Sequence, residues 1–185
     1  MSPLKPSDSS LTRRTFLAKS VAVSAFTIVP RHVLGGPGQV APSEKLNIAG
    51  VGVGGKGFSD LESVQAYANI VALCDVDSRK ASKAFVRWPQ AKQYQDYRMM
   101  LDKQPEVDGV IVATPDHAHA VISMAAIKRG KHVYTQKPLT HTVHEARALA
   151  AAAREYNVAT QMGNHGQAEE EPRRLRELIW DGVCS

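Results

Sequence analysis

A chain of 185 residues is long enough for one domain with a sizeable core and too short for two full ones. The 43% hydrophobic and 22% charged shares are those of a soluble globular protein. The formal charge of +5 makes no case for nucleic acid, because Lys5, Arg13, Arg14, Lys19, Arg31 and Lys45 face only Asp8 and Glu44 at the start, leaving the remainder near neutral.

Residues 1–45 read as a leader and linker. Leu11 to Pro30, "LTRRTFLAKSVAVSAFTIVP", joins a polar start, an arginine pair and an apolar run from Val21 to Val29. That run is too short to cross a bilayer as a helix and fits the middle of an export signal. Thr12 to Leu17 resembles the bacterial twin-arginine signal, with Arg13 and Arg14 read by the export machinery as a partner. The expected destination is the periplasm or the outside of the cell. A disordered basic leader is the alternative. "GGPGQVAPSEK" then serves as a Gly/Pro linker.

From Leu46 onward, short apolar runs alternate with helical stretches. Strands are expected at Leu46–Val51, Ile70–Cys74, Val107–Ala113, His132–Tyr134 and Val158–Met162, with a weaker one at Lys92–Tyr94. Helices are expected at Phe58–Tyr67, Ser78–Val86, Tyr97–Leu101, Ala118–Lys128 and Val143–Tyr156. Thr142 and Glu145 form a capping box for the last of these, and Gly130 stops the one before it. Near-continuous Val/Ile/Ala strands between helices imply a Rossmann-like α/β fold, a doubly wound parallel sheet covered on both faces. Of the two cysteines, Cys74 reads as a small buried hydrophobe, Cys184 has no assigned role, and no disulfide framework is expected.

The stretch "GVGVGGKG" places five glycines in eight positions between a strand and a helix. That context is what a dinucleotide fingerprint requires. Gly52, Gly54 and Gly57 match G-x-G-x-x-G, and the shifted frame Gly50, Gly52, Gly55 matches as well. The glycines serve a tight turn, close approach of backbone to a pyrophosphate, and close helix–strand packing. Gly55 belongs to the same phosphate-facing loop. Asp75 ends the second strand about 18 positions past Gly57, near the spacing at which a carboxylate reaches the ribose hydroxyls. An acid there favours NAD, while Arg79 and Lys80 nearby keep NADP open. Asp75 as an ordinary turn residue is the bland alternative.

Three further strand ends present polar groups. Thr114 and Pro115 follow one strand, Gln136, Lys137 and Pro138 the next, and Asn164 and His165 the last. Ligands in such sheets bind beyond the carboxyl ends of the strands, so these groups should converge on one cofactor crevice. His117 and His119 have His-x-His spacing, but no Cys, Asp or Glu cluster completes a metal site, and no metal is expected. His141 and His144 read as solvated residues at a helix start. Lys137 taken alone is equally compatible with a surface lysine before a turn.

Together, "GVGGKG", "ATPDHAH" and "GKHVYTQKPL" resemble the glucose–fructose oxidoreductase, inositol dehydrogenase and MocA (Gfo/Idh/MocA) family, from about Leu46 to Trp180. The family's Pro-Asn-x-x-His appears as Pro115-Asp116-His117-Ala118-His119, and its Glu-Lys-Pro as Gln136-Lys137-Pro138. The resemblance implies NAD(P)-dependent oxidation of a sugar, cyclitol or polyol, with Lys137 near the nicotinamide and the substrate hydroxyl. It places His119 at the family histidine's position, a second candidate catalytic residue. It also implies cofactor contacts from Thr114, Pro115, Gln136, Lys137 and Asn164, and leaves room for a homo-oligomer. Glutamine at 136 offers the lysine no negative partner, which departs from the family's charge balance.

The Rossmann domain is expected over residues 46–165. Residues 166–185, with Leu175, Leu178 and Ile179 at helical spacing, read as the start of a C-terminal region. The family's second, α+β domain has no counterpart here, so a truncated chain is expected. Besides a dehydrogenase, two other functions are compatible: a glycosidase that oxidises its sugar transiently, and a dinucleotide-binding fragment without turnover.

Overall fold

The computed structural model describes residues 44–183, so Arg13, Arg14 and the rest of the leader, and Cys184, lie outside the described residues. Six strands form one all-parallel sheet: β1 (Leu46–Val51), β2 (Ala68–Cys74), β3 (Lys92–Tyr94), β4 (Gly109–Val112), β5 (His132–Gln136) and β6 (Thr160–Gly163), in the spatial order β3-β2-β1-β4-β5-β6. The order reverses direction at β1, between β2 and β4, which creates a switch point above the carboxyl ends of those strands. The expected doubly wound α/β sheet is the observed one, including its weak strand at Lys92–Tyr94.

Helices α1 (Lys56–Val64) and α2 (Ser78–Arg87) cover one face. There Phe58, Leu61, Ala81 and Ala84 pack on Ile70, Leu73 and Ile111. Helices α3 (Tyr97–Lys103), α4 (Asp116–Ile127) and α5 (Val143–Glu155) cover the other, where Met100, Ile122, Ile127 and Leu149 pack on Val51, Ala72, Val110 and Val133. Alternate residues of β1, β4 and β5 thus feed opposite cores, the consequence of a two-residue side-chain period in a sheet buried on both sides. Cys74 is one of these core residues at 2% exposure. Burial, and then the nearby charges of Asp75 and Asp96, push its thiol up to about 12.

Element ends shift by one to three residues from the expected positions, the largest shift being the end of α1 at Val64 rather than Tyr67. Helix α1 starts at Lys56 rather than Phe58, because Gly55 (φ 59°, ψ −118°) turns the chain directly into the helix. Strand β4 starts at Gly109, since Asp108 instead donates its N–H to the Asn47 carbonyl and accepts from the Asn47 N–H. The capping box at α5 is present in full. Thr142 Oγ1 accepts from the Glu145 N–H at 3.2 Å and Glu145 Oε2 from the Thr142 N–H at 2.8 Å. A short 3-10 turn, His165–Gln167, leads to helix α6 (Glu170–Trp180), on which Leu175 and Ile179 are about half exposed.

The Thr142 backbone N–H holds the Glu145 carboxyl below its usual value of 4.5. A lowered folded value means that the cap's contribution is present above about pH 4.5 and fades as pH falls through the lowered value. Thr142→Ala is expected to cost about 1 kcal/mol at neutral pH. Urea midpoints at neutral pH check this, while Glu145→Gln, which removes the titrating carboxyl, should lose more stability at neutral pH than below about pH 4.

Candidate functional site

The glycine loop is held by contacts that leave no room for side chains. A Cβ on Gly57 would lie 2.1 Å from the Gly52 carbonyl oxygen, and one on Gly52 (φ +79°) would lie 2.7 Å from the Ala113 carbonyl. Helix α1 therefore sits directly on the loop, and the loop directly on the end of β4. Gly54 packs against Lys80, where a Cβ would meet that side chain's Cβ at 3.1 Å. Gly55 differs: nothing lies within 4 Å of its Cβ position, and as N-cap of α1 it provides no side-chain cap. Helix α1 thus starts without a side-chain cap beside the glycine loop, the kind of helix start that receives phosphate charge.

Beside this loop lies a cleft of about 760 Å³ whose wall includes Gly52, Gly54, Gly55, Asp75, Thr114 and Pro115. Asp75 projects from the end of β2, with Oδ2 accepting from the Gly54 N–H at 3.2 Å and Oδ1 from the Asp77 N–H at 3.0 Å. It ties the glycine loop to the turn before α2 while keeping lone pairs toward the cleft. Arg79, weighed as a phosphate reader, is engaged by Asp77 through Nε at 3.2 Å and Nη2 at 3.3 Å. The same hydrogen bonds hold the Asp77 carboxyl below the ordinary range. Lys80 remains in the cleft wall. Thr114 Oγ1 is the one buried side-chain polar atom among the described residues without a hydrogen-bond partner, and its residue lines the cleft. A Cβ-free cradle, an uncapped helix start and an unsatisfied hydroxyl fit a bound dinucleotide. Gln95, Tyr97 and His117 also line the cleft, and residue-type reasoning had assigned none of them to the cofactor.

The remaining expected site residues lie outside that wall. Lys137 is exposed just past the end of β5. Asn164 is exposed past β6, as N-cap of the 3-10 turn. The Gln136 side chain, expected at the cofactor, turns instead into the sheet–helix interface. It is 6% exposed and its Nε2 donates to Asp60 Oδ2 at 2.7 Å. His119, a candidate catalytic group, is 1% exposed. Its Nδ1 lies 2.7 Å from the Pro138 carbonyl oxygen and its Nε2 2.8 Å from that of Thr114. Both ring nitrogens face backbone carbonyl oxygens, and a neutral ring donates to one of them at a time, so in this structure His119 lies buried between two strand-end loops and offers no face to a substrate. All three strand ends lie on one edge of the sheet, but of the groups expected to converge there only Thr114 and Pro115 line the cleft. Asp60 was overlooked because a lone aspartate inside a helix carries no motif. A second depression, about 750 Å³ and edged by Asn47, Asn69 and Lys92, lies at the amino ends of the strands, away from the glycine loop.

The fold and the cleft define a dinucleotide-binding domain of the doubly wound class. The chain belongs to the Gfo/Idh/MocA oxidoreductase family, described as having an NAD-binding Rossmann fold, whose profile matches residues 45–164. The chain is 38% identical over 78 residues to 1,5-anhydro-D-fructose reductase of Ensifer adhaerens, covering 42% of this chain and 23% of that protein. It is 29% identical over 110 residues to inositol 2-dehydrogenase of Salmonella paratyphi B, covering 58% of this chain and 32% of that protein. Among solved structures it resembles GenD2 of gentamicin A biosynthesis in complex with NAD (TM-score 0.67, 30% identity, 82% of this chain and 42% of that one). The chain therefore spans well under half the length of these relatives. Its domain is the NAD-binding one.

The glycine contacts give a graded expectation. Gly57→Ala should cost about 3 kcal/mol, the upper end of overpacking penalties, because backbone on both sides must move. Gly55→Ala has space and meets only backbone strain, of order 1–3 kcal/mol. Thermal unfolding of the two variants, with the order Gly57→Ala below Gly55→Ala, is the check.

Proposed function

We propose that this chain forms the cofactor-binding part of an NAD-dependent oxidoreductase acting on a sugar, cyclitol or related polyol. The observation that carries the reading is the cleft at the sheet's switch point, with the glycine cradle and Asp75 on one side and the loop leading to Lys137 along the same sheet edge. The substrate class rests on relatives whose names specify an anhydro-sugar reductase and an inositol dehydrogenase. Bound NAD would supply the hydride acceptor. The chain's own groups do the remaining work. The uncapped start of α1 and the loop amides offer N–H groups to the pyrophosphate, and Asp75 accepts from ribose hydroxyls. Thr114 has a free hydroxyl for the cofactor. Lys137 takes or returns the proton at the substrate oxygen as its carbon is oxidised or reduced. His119 keeps the Thr114 and Pro138 loops at a constant distance. The preference for NAD over NADP rests on Asp75 in the cleft and on Asp77 occupying Arg79. Arg13 and Arg14 direct the folded protein through twin-arginine export in this reading.

Asp75→Ala is expected to weaken NAD binding about tenfold or more, as loss of a charged hydrogen-bond acceptor implies. It should weaken NADP binding less, so that calorimetry with the two cofactors shows a smaller preference for NAD. Equal affinities before and after substitution would overturn the assignment.

Lys137→Ala is expected to separate binding from turnover. In a protein spanning the full length of its relatives, turnover should fall ~10²–10⁴-fold, the usual worth of a general acid–base group. NAD affinity should stay within about threefold of the unsubstituted protein, since Lys137 lies outside the cleft wall. Steady-state rates with inositol and anhydro-sugar substrates, alongside calorimetry, check both halves.

A further inference from the structure

We propose that Asp60 is the positioning residue for Lys137, acting through the buried side chain of Gln136 in the Gln136-Lys137-Pro138 segment. Asp60 sits on α1 and is 7% exposed. Its Oδ2 accepts from Gln136 Nε2 at 2.7 Å, a buried bond between residues 76 positions apart. Its Oδ1 accepts from Lys56 Nζ at 2.5 Å, and the Lys56 side chain is 45% exposed, so the neutralising cation comes from the solvent side. A carboxylate accepts only, so the amide must present its NH2 to Asp60. Gln136 has no freedom to turn away, because Gly163 on β6 lies so close that a Cβ there would meet the amide at 2.8–2.9 Å. Burial, followed by the Asp60 charge, raises the Tyr134 hydroxyl, which places that charge beside β5 as well.

This geometry accounts for the departure from Glu-Lys-Pro. A glutamate at 136 would set two carboxylates at hydrogen-bond distance in a buried site, where one must stay protonated. With an amide at 136 the single charge of Asp60 is satisfied twice, by Gln136 and by Lys56. The backbone on each side of Lys137 is then fastened to an opposite face of the sheet: Gln136 through Asp60 to α1, and the Pro138 carbonyl through His119 to α4. Asp60 touches no substrate. It acts through Gln136, and its value to turnover rests on the reading of Lys137 given above.

The test uses the full chain and needs no turnover. Four forms are compared: unsubstituted, Asp60→Asn, Gln136→Glu, and the double variant that reverses donor and acceptor across the same bond. Gln136→Glu brings a carboxyl whose folded value is raised, so its stability is retained at low pH and lost as pH rises. Its thermal midpoint should drop by about 5 °C or more at about pH 8 and by less at about pH 5. Amide exchange at Lys137 and Leu139 should quicken about tenfold or more at the higher pH. The double variant should recover at least half of both losses and show little of the pH dependence. NAD affinity should stay within about threefold throughout, since neither residue lines the cleft. A Gln136→Glu protein with unchanged stability and exchange at both pH values would overturn the proposal, and so would a double variant no better than Gln136→Glu alone. Loss of NAD affinity in Gln136→Glu without loss of stability would also overturn it, by making Gln136 a direct cofactor ligand. If instead no form bound NAD while the stability cycle behaved as described, the functional reading would fail and the Asp60 pairing would stand.

Discussion

The contact between Gly57 and the carbonyl oxygen of Gly52 is the constraint on which the rest of the structure depends. Only without a Cβ at position 57 can the first turn of α1 settle onto the loop that leaves β1. That seating fixes the direction of α1 across its face of the sheet. It sets the uncapped start of the helix beside the glycine loop, and it puts Asp60, one turn further on, against the end of β5. One missing methyl thus sets the phosphate end of the cleft and the support beneath Lys137 together.

The two ends of the site are held by different physics. At the cofactor end, backbone dominates: loop amides, an uncapped helix start and one carboxylate that both braces the loop and faces the cleft. Such groups are rigid and carry no side-chain entropy to lose on binding, which suits a dinucleotide whose charge lies in its pyrophosphate. At the Lys137 end, buried side chains dominate, with Asp60 and His119 each reaching a neighbour of the lysine from opposite faces of the sheet. Lys137 itself remains exposed between two neighbours that make hydrogen-bond contacts to buried side chains.

Burial also explains why polar residues in the core are not all functional. Ser123 and Thr135 satisfy one another across α4 and β5 at 2.8 Å and need no ligand. Cys74 lies at the end of β2, next to Asp75 and at the cleft, and burial with the neighbouring acids pushes its thiol up, away from the reactive thiolate form. Thr114 is the exception, a buried hydroxyl without a partner, and it lies at the cleft.

Much of this was legible in the sequence, for a definite reason. Strand and helix periodicity, the glycine spacing, the Thr142 and Glu145 capping box and the acid after the second strand are local signals, each readable within a few residues. They determined the doubly wound sheet, the nucleotide loop and the position of Asp75, because the parallel topology carries every strand's carboxyl end to one edge. What they left open were contacts between residues far apart in the chain. The pairing of Gln136 with Asp60, 76 positions away, and the placing of His119 between the Thr114 and Pro138 carbonyls, exist only once α1 and α4 have packed on opposite faces of β5. A residue's type shows which bonds it is able to make. Which bond it makes in a core is decided by the neighbour that burial forces upon it, and that neighbour was visible only in the tertiary structure.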